Sequence, residues 1–156
     1  MGGIDCDPAS NDMAQRLVKA GTYFTKEKDG LNCDWHGNVW LNPPYSRGLI
    51  EPFVHKLLRE LEAGRVSSAI LLTNNSASSH WHQHAASFST LLCNPSKRIG
   101  FLELQEDGTY AQKNGNDRGQ TFFFYGSDPE AFMQTFADLG NILEAVARHP
   151  FTCHRE

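Results

Sequence analysis

The 156-residue chain has few of the features that would assign a function at once. No apolar run approaches the roughly 20 residues that a bilayer span needs, so no membrane role is expected. Met1 is followed by Gly2, Gly3, Ile4 and Asp5, which is not a secretory leader. Four cysteines (Cys6, Cys33, Cys93 and Cys153) lie far apart with no C-x-x-C pair. That argues against a zinc cage and predicts reduced thiols in a cytoplasmic setting. Basic residues do not dominate: 14 Lys and Arg stand against 18 Asp and Glu, a net charge of −4. Attraction of the whole surface to nucleic acid is thereby excluded, which leaves only a confined basic patch. Repeats, low-complexity tracts and linkers are missing, as is a G-x-G-x-G loop after the first expected strand.

What is present suits one globular domain, expected over residues 1–150 with a loose tail at 151–156. Hydrophobic residues make up 40% of the chain and charged ones 21%. Ile4 to Asp7 read as a short strand, and Asp7-Pro8 as the N-cap and first position of a helix that Gly21 stops. Thr22 to Thr25 read as a strand, Asp29-Gly30 as a turn, and Val39 to Leu41 as a strand. Ile50, Phe53, Val54, Leu57, Leu58 and Leu61 recur at helical steps and predict a helix over 50–62. Ser67 to Thr73 read as a strand buried on both faces. A helix over 80–88, strands over 91–93 and 99–104, a polar Gly-rich loop over 107–120 and a strand over 121–125 follow. A helix over 128–139 and a strand over 141–146 complete the pattern. Alternating strands and helices predict an α/β fold with a mostly parallel sheet. In such sheets ligands lie at the carboxyl ends of strands, so Asp5-Cys6-Asp7-Pro8 and Asn42-Pro43-Pro44-Tyr45 can share a crevice.

The stretch V-W-L-N-P-P-Y-S carries the chemistry. Two prolines end the strand and stiffen the loop. The Asn42 side chain and the Pro43 carbonyl can accept both hydrogens of an exocyclic amino group. Two acceptors localise a lone pair that is otherwise delocalised into the ring, and Tyr45 can stack on the ring plane. The site suits alkylation of a planar amino or amide nitrogen, and a base in a duplex would have to be flipped out to reach it.

N-P-P-Y resembles the [DNS]-P-P-[YFW] signature of amino-methyltransferases. The wider strings I-D-C-D-P-A-S (4–10), Y-F-T-K-E-K-D-G-L (23–31), W-H-G-N-V-W-L-N-P-P-Y-S (35–46), A-I-L-L-T-N-N-S-A-S-S-H-W (69–81) and R-G-Q-T-F-F-F-Y-G (118–126) resemble the phage-type DNA N6-adenine methyltransferase family. The resemblance implies a Rossmann-like methyltransferase fold with flanking helices, S-adenosylmethionine as donor and adenine N6 of DNA as acceptor. Members carry an upstream Thr-Pro element, so this chain reads as compact or truncated at its amino terminus. By position, Asn42, Pro43, Pro44 and Tyr45 match the catalytic motif, and Asp5, Asp7, Pro8, Ala9 and Ser10 match the segment expected near the cofactor. Three alternatives stay open: a non-catalytic DNA-binding module, a cytosine-N4 enzyme and a protein-glutamine enzyme.

Other residues carry weaker signals. Asp29 is either a turn residue or an acceptor for ribose hydroxyls. His80, His82 and His84 are two apart, so only His80 and His84 share a helical face, and no metal site is expected. Trp81 is read as DNA-facing or packing. Lys97, Arg98, Lys113 and Arg118 are the candidates for phosphate contact, or else solvated loop residues. Phe122, Phe123 and Phe124 are read as core.

Overall fold

In the computed structural model, residues 2–46, 48–112 and 116–145 are described. A seven-stranded sheet runs through the molecule. Its strands are β1 (Cys6–Asp7), β2 (Thr22–Tyr23), β3 (Gly37–Leu41), β4 (Val66–Asn74), β5 (Leu91–Pro95), β8 (Gln120–Tyr125) and β9 (Gly140–Glu144), in the spatial order β2-β1-β3-β4-β8-β5-β9. Two further strands, β6 (Leu102–Leu104) and β7 (Tyr110–Gln112), form a separate antiparallel hairpin. The helices are α1 (Asp12–Val18), α2 (Ile50–Glu62), α3 (His80–Phe88) and α4 (Pro129–Phe136).

β2, β1, β3 and β4 pair in parallel, whereas β8 is antiparallel to both β4 and β5, and β9 is antiparallel to β5. Five strands therefore point one way and β8 and β9 the other, a mixed α/β sheet with a parallel core. Period-2 alternation sorts the central strands between two cores. Val39, Leu41, Ala69, Leu71, Phe123 and Tyr125 join Phe53, Val54, Leu57 and Leu58 of α2 and Ala85 of α3. Trp40, Ile70, Leu72, Phe122 and Phe124 turn the other way, toward Phe132 and Phe136 of α4. Both faces are covered, which is why these strands read as unbroken apolar runs. The three phenylalanines are core, as their context predicts.

Several boundaries differ from the sequence expectation. Asp7 does not cap α1. Asn11 does, accepting from the Met13 and Ala14 amides at 3.0 and 2.9 Å. α1 ends at Lys19 in a left-handed conformation (φ 53°), two residues before Gly21. β1 starts at Cys6 and not Ile4, β2 stops at Tyr23, and α4 stops at Phe136. The strand expected over 99–104 is confined to β6, and the loop expected over 107–120 contains β7. The expected tail at 151–156 lies outside the described residues.

Candidate active site

Parallel pairing fixes which groups meet. Cys6 is level with Val39, so the carboxyl ends of β1 and β3 are neighbours and Asp7-Pro8-Ala9-Ser10 emerges beside Asn42. β4 and β5 end at the same edge, and β8 begins there. This edge carries Asn42-Pro43-Pro44-Tyr45, Asn74, the Ser96–Arg98 turn and the Asn116–Gly119 segment.

The acidic pair expected near a cofactor is split by the same register. Asp5 lies at the opposite edge, where its Oδ2 accepts from the Asn38 amide at 2.7 Å and its side chain packs against Gly37. Gly37 has φ +64°, and a Cβ there would collide with the Asp5 carboxylate. Asp5 thus anchors the start of β3, five residues before Asn42, and is not brought to the crevice. Asp7 is. It is 2% exposed, and Gln15 Nε2 donates to its Oδ2 at 2.7 Å. Burial lifts its carboxyl above the ordinary range, opposed by hydrogen bonds from Ser10, the Ala9 amide and Gln15. Pro8 is fully buried, and the Ser10 amide bonds to the Phe24 carbonyl at 2.9 Å.

Asp29 adopts φ 48°, and its two carboxylate oxygens accept from the Leu31 amide and Asn32 Nδ2. Its observed partners are those of a turn. Gly30, next to it, lies so close to the Pro8 carbonyl that a Cβ would clash. The Gly30 carbonyl accepts from Trp35 Nε1 at 2.8 Å, locking this turn under the end of β1.

At β3, Pro43 is fully buried and Pro44 is exposed. Tyr45 Oη donates to Asn42 Oδ1 at 2.7 Å and has a second acceptor, the Leu72 carbonyl, at 3.3 Å. The ring of Tyr45 meets Phe101 edge-on, with centroids 6.2 Å apart. Burial raises the Tyr45 hydroxyl well above its usual pKa, so it stays a donor.

Lys97, Arg98 and Arg118 are exposed beside this edge, Lys97 and Arg98 after β5 and Arg118 before β8. Lys113 lies outside the described residues. Trp81, in the first turn of α3, is partly buried and packs against the larger core. His82 is buried under Phe123, 4.9 Å between centroids, and among the described residues neither ring nitrogen has a partner. Among the described residues no group of three His, Cys, Asp or Glu is placed to hold a metal ion.

Sequence reasoning missed Gln120. Although 3% exposed, its side chain joins Asn74 Oδ1, Asn116 Oδ1, the Arg118 carbonyl and the Ile99 amide. It pins both ends of the segment that carries the β6–β7 hairpin. The available signal was one amide opening an aromatic strand, Q-T-F-F-F-Y.

A sequence model of the DNA N-6-adenine-methyltransferase (Dam) family matches residues 5–145, a span that includes Asp7, Asn42 and Gln120. The chain belongs to the Dam family of DNA N6-adenine methyltransferases. Membership implies DNA adenine-N6 methyltransferase activity, S-adenosylmethionine use and a DNA substrate, and it favours adenine over the cytosine and glutamine alternatives. No curated protein and no solved structure is significantly similar to the chain. Among the described residues no helix of the chain is long and apolar enough to cross a membrane.

Proposed function

We propose that Asn42 and the Pro43 carbonyl accept the two hydrogens of adenine N6, with Tyr45 stacked on a base flipped out of the duplex. The observation that carries this reading is the placement of Asn42 and Asp7 at adjacent ends of two paired parallel strands. A donor bound on one strand end and an amino group bound on the other would be neighbours, and positioning is the main service a methyltransferase supplies.

The residues at the end of β1 fit S-adenosylmethionine in chemistry. Asp7 has a buried carboxylate that an ammonium group would reach by displacing Gln15, and Ala9 and Ser10 are small enough for close approach to the backbone. When bound, the cofactor supplies an electrophilic methyl group. Asn42 and Pro43 localise the lone pair on N6, and the amino proton displaced on methylation passes through these acceptors to water. Asn42 is freed for this role when the Tyr45 hydroxyl turns to its second acceptor, the Leu72 carbonyl.

DNA would be held at this edge by Lys97, Arg98 and Arg118, a confined basic patch on an acidic protein. The test is incubation with unmethylated DNA and S-adenosylmethionine, followed by mass spectrometry of the digested nucleosides. N6-methyladenine with the wild type and none with Asn42→Ala is the expected result. Unimpaired methylation by Asn42→Ala would remove Asn42 from the chemistry.

A further inference from the structure

Among the described residues, the β6–β7 hairpin pairs with no strand of the main sheet. It grows from the sheet edge that carries Asn42, and Gln112 of β7 lies directly on Gly100, closing its base. Two contacts tie it across the crevice. On one side Phe101, the residue before β6, rests on the ring of Tyr45. On the other, Tyr110 Oη in β7 donates to the Met13 carbonyl of α1 at 2.9 Å. α1 follows directly from the end of β1, so the hairpin bridges the two strand ends between which base and donor would meet. Its tip carries Glu106 and Asp107 and its base carries Lys97, Arg98 and Arg118, so approaching phosphates are drawn to the base and repelled by the tip.

We propose that this hairpin is a gate over the adenine pocket, strapped shut by the Tyr110–Met13 hydrogen bond and linked to Asn42 through Phe101 and Tyr45. This rests on the reading of Asn42 and Tyr45 as the adenine site. With the strap made, Tyr45 occupies the acceptor that adenine N6 would use. Adenine enters when the strap opens and the Tyr45 ring is free to move. The closed form therefore taxes the apparent affinity for an entering base by the fraction of molecules that are open.

Tyr110→Phe removes the strap and nothing else, because the hydroxyl is the only group lost and the ring keeps its place. One net hydrogen bond corresponds to about a fivefold shift toward the open form. Two measurements on the full chain test it. Hydrogen exchange by mass spectrometry should quicken across residues 102–112 in Tyr110→Phe. Fluorescence anisotropy should find an adenine-only single strand bound about fivefold more tightly by the variant, with a thymine-only strand unchanged. Equal affinities of variant and wild type for the adenine strand, or an equal gain on both strands, would overturn the gate. Because binding needs no turnover, this result is separable from the site reading, which fails instead if Asn42→Ala methylates DNA as wild type does.

Discussion

Tyr45 donates its hydroxyl hydrogen to the Asn42 side-chain carbonyl at 2.7 Å, so the acceptor proposed for adenine N6 is engaged by the chain's own aromatic residue. The two residues thus carry separable chemistry, one a ring face and the other an acceptor. Tyr45→Phe keeps the face and releases the acceptor, and should retain methylation within a few-fold of wild type. Tyr45→Ala loses the stacking surface, worth about 1–3 kcal/mol per base, and should raise KM for DNA by about tenfold or more. Steady-state methyl transfer to DNA distinguishes the two variants. Equal losses in both would show that the hydroxyl matters as much as the ring.

Phosphate contacts should be uniform across sequences. Replacing Lys97, Arg98 or Arg118 singly by Ala should weaken DNA binding alike on any duplex and reduce the slope of log affinity against log salt by about one per residue. Filter binding over a salt series measures this. A slope unchanged in the triple variant would place the DNA elsewhere on the surface.

His82 makes stability depend on pH. It is buried with both ring nitrogens unpartnered among the described residues, and burial lowers its pKa below the ordinary value near 6.5. The unfolded chain therefore binds a proton more readily than the folded one. Stability is full above pH 6.5 and falls as the pH drops from there toward the depressed folded value. Thermal melts from pH 7.5 to 5 should reveal a loss in wild type that is smaller in His82→Phe, which keeps the edge contact with Phe123. Parallel pH profiles for the two proteins would dismiss this role.

Glu60 is 4% exposed and accepts from Lys56 Nζ at 2.9 Å and from Arg65 Nε. Desolvation raises its pKa, but the hydrogen bonds from Arg65 and Lys56 outweigh it, and the carboxyl sits below its usual range. Glu60→Ala leaves Lys56, itself only 9% exposed, as a nearly buried charge without its partner. The expected cost is about 3 kcal/mol, or roughly 8 °C in Tm for a domain of this size. A shift under about 2 °C would mean that Lys56 reaches water easily.

The sequence made the elements around Asn42 more legible than the contacts between them. Helix α2 stands at the residues its periodicity marks, and Asn42 to Tyr45 follow their strand as expected, because apolar spacing and proline act locally. Asp7 misled because Asp-Pro is a good helix start, yet its carboxylate is taken by Gln15, eight residues on. Asp5 shows that a motif string does not reveal register: the pairing of β1 with β3 sets its carboxylate on the Asn38 amide. Tyr110 and Met13 are 97 positions apart, and no local pattern announces that they touch. Gln120 sits in a strand whose aromatic run hides the one amide that matters.

β8 lies between β4 and β5 in the sheet, yet it is the last of the three to be synthesised. While the chain from Asn75 to Tyr125 is being made, β4 has an open edge and β5 has no neighbour on either side, since β9 comes later still. At about 5–20 residues per second, those roughly 50 residues take several seconds. For that interval the ribosome displays an apolar strand ready to pair with another chain. Recovery of soluble protein should therefore depend on translation speed through 75–125 and on chaperone supply, independently of how stable the finished sheet is.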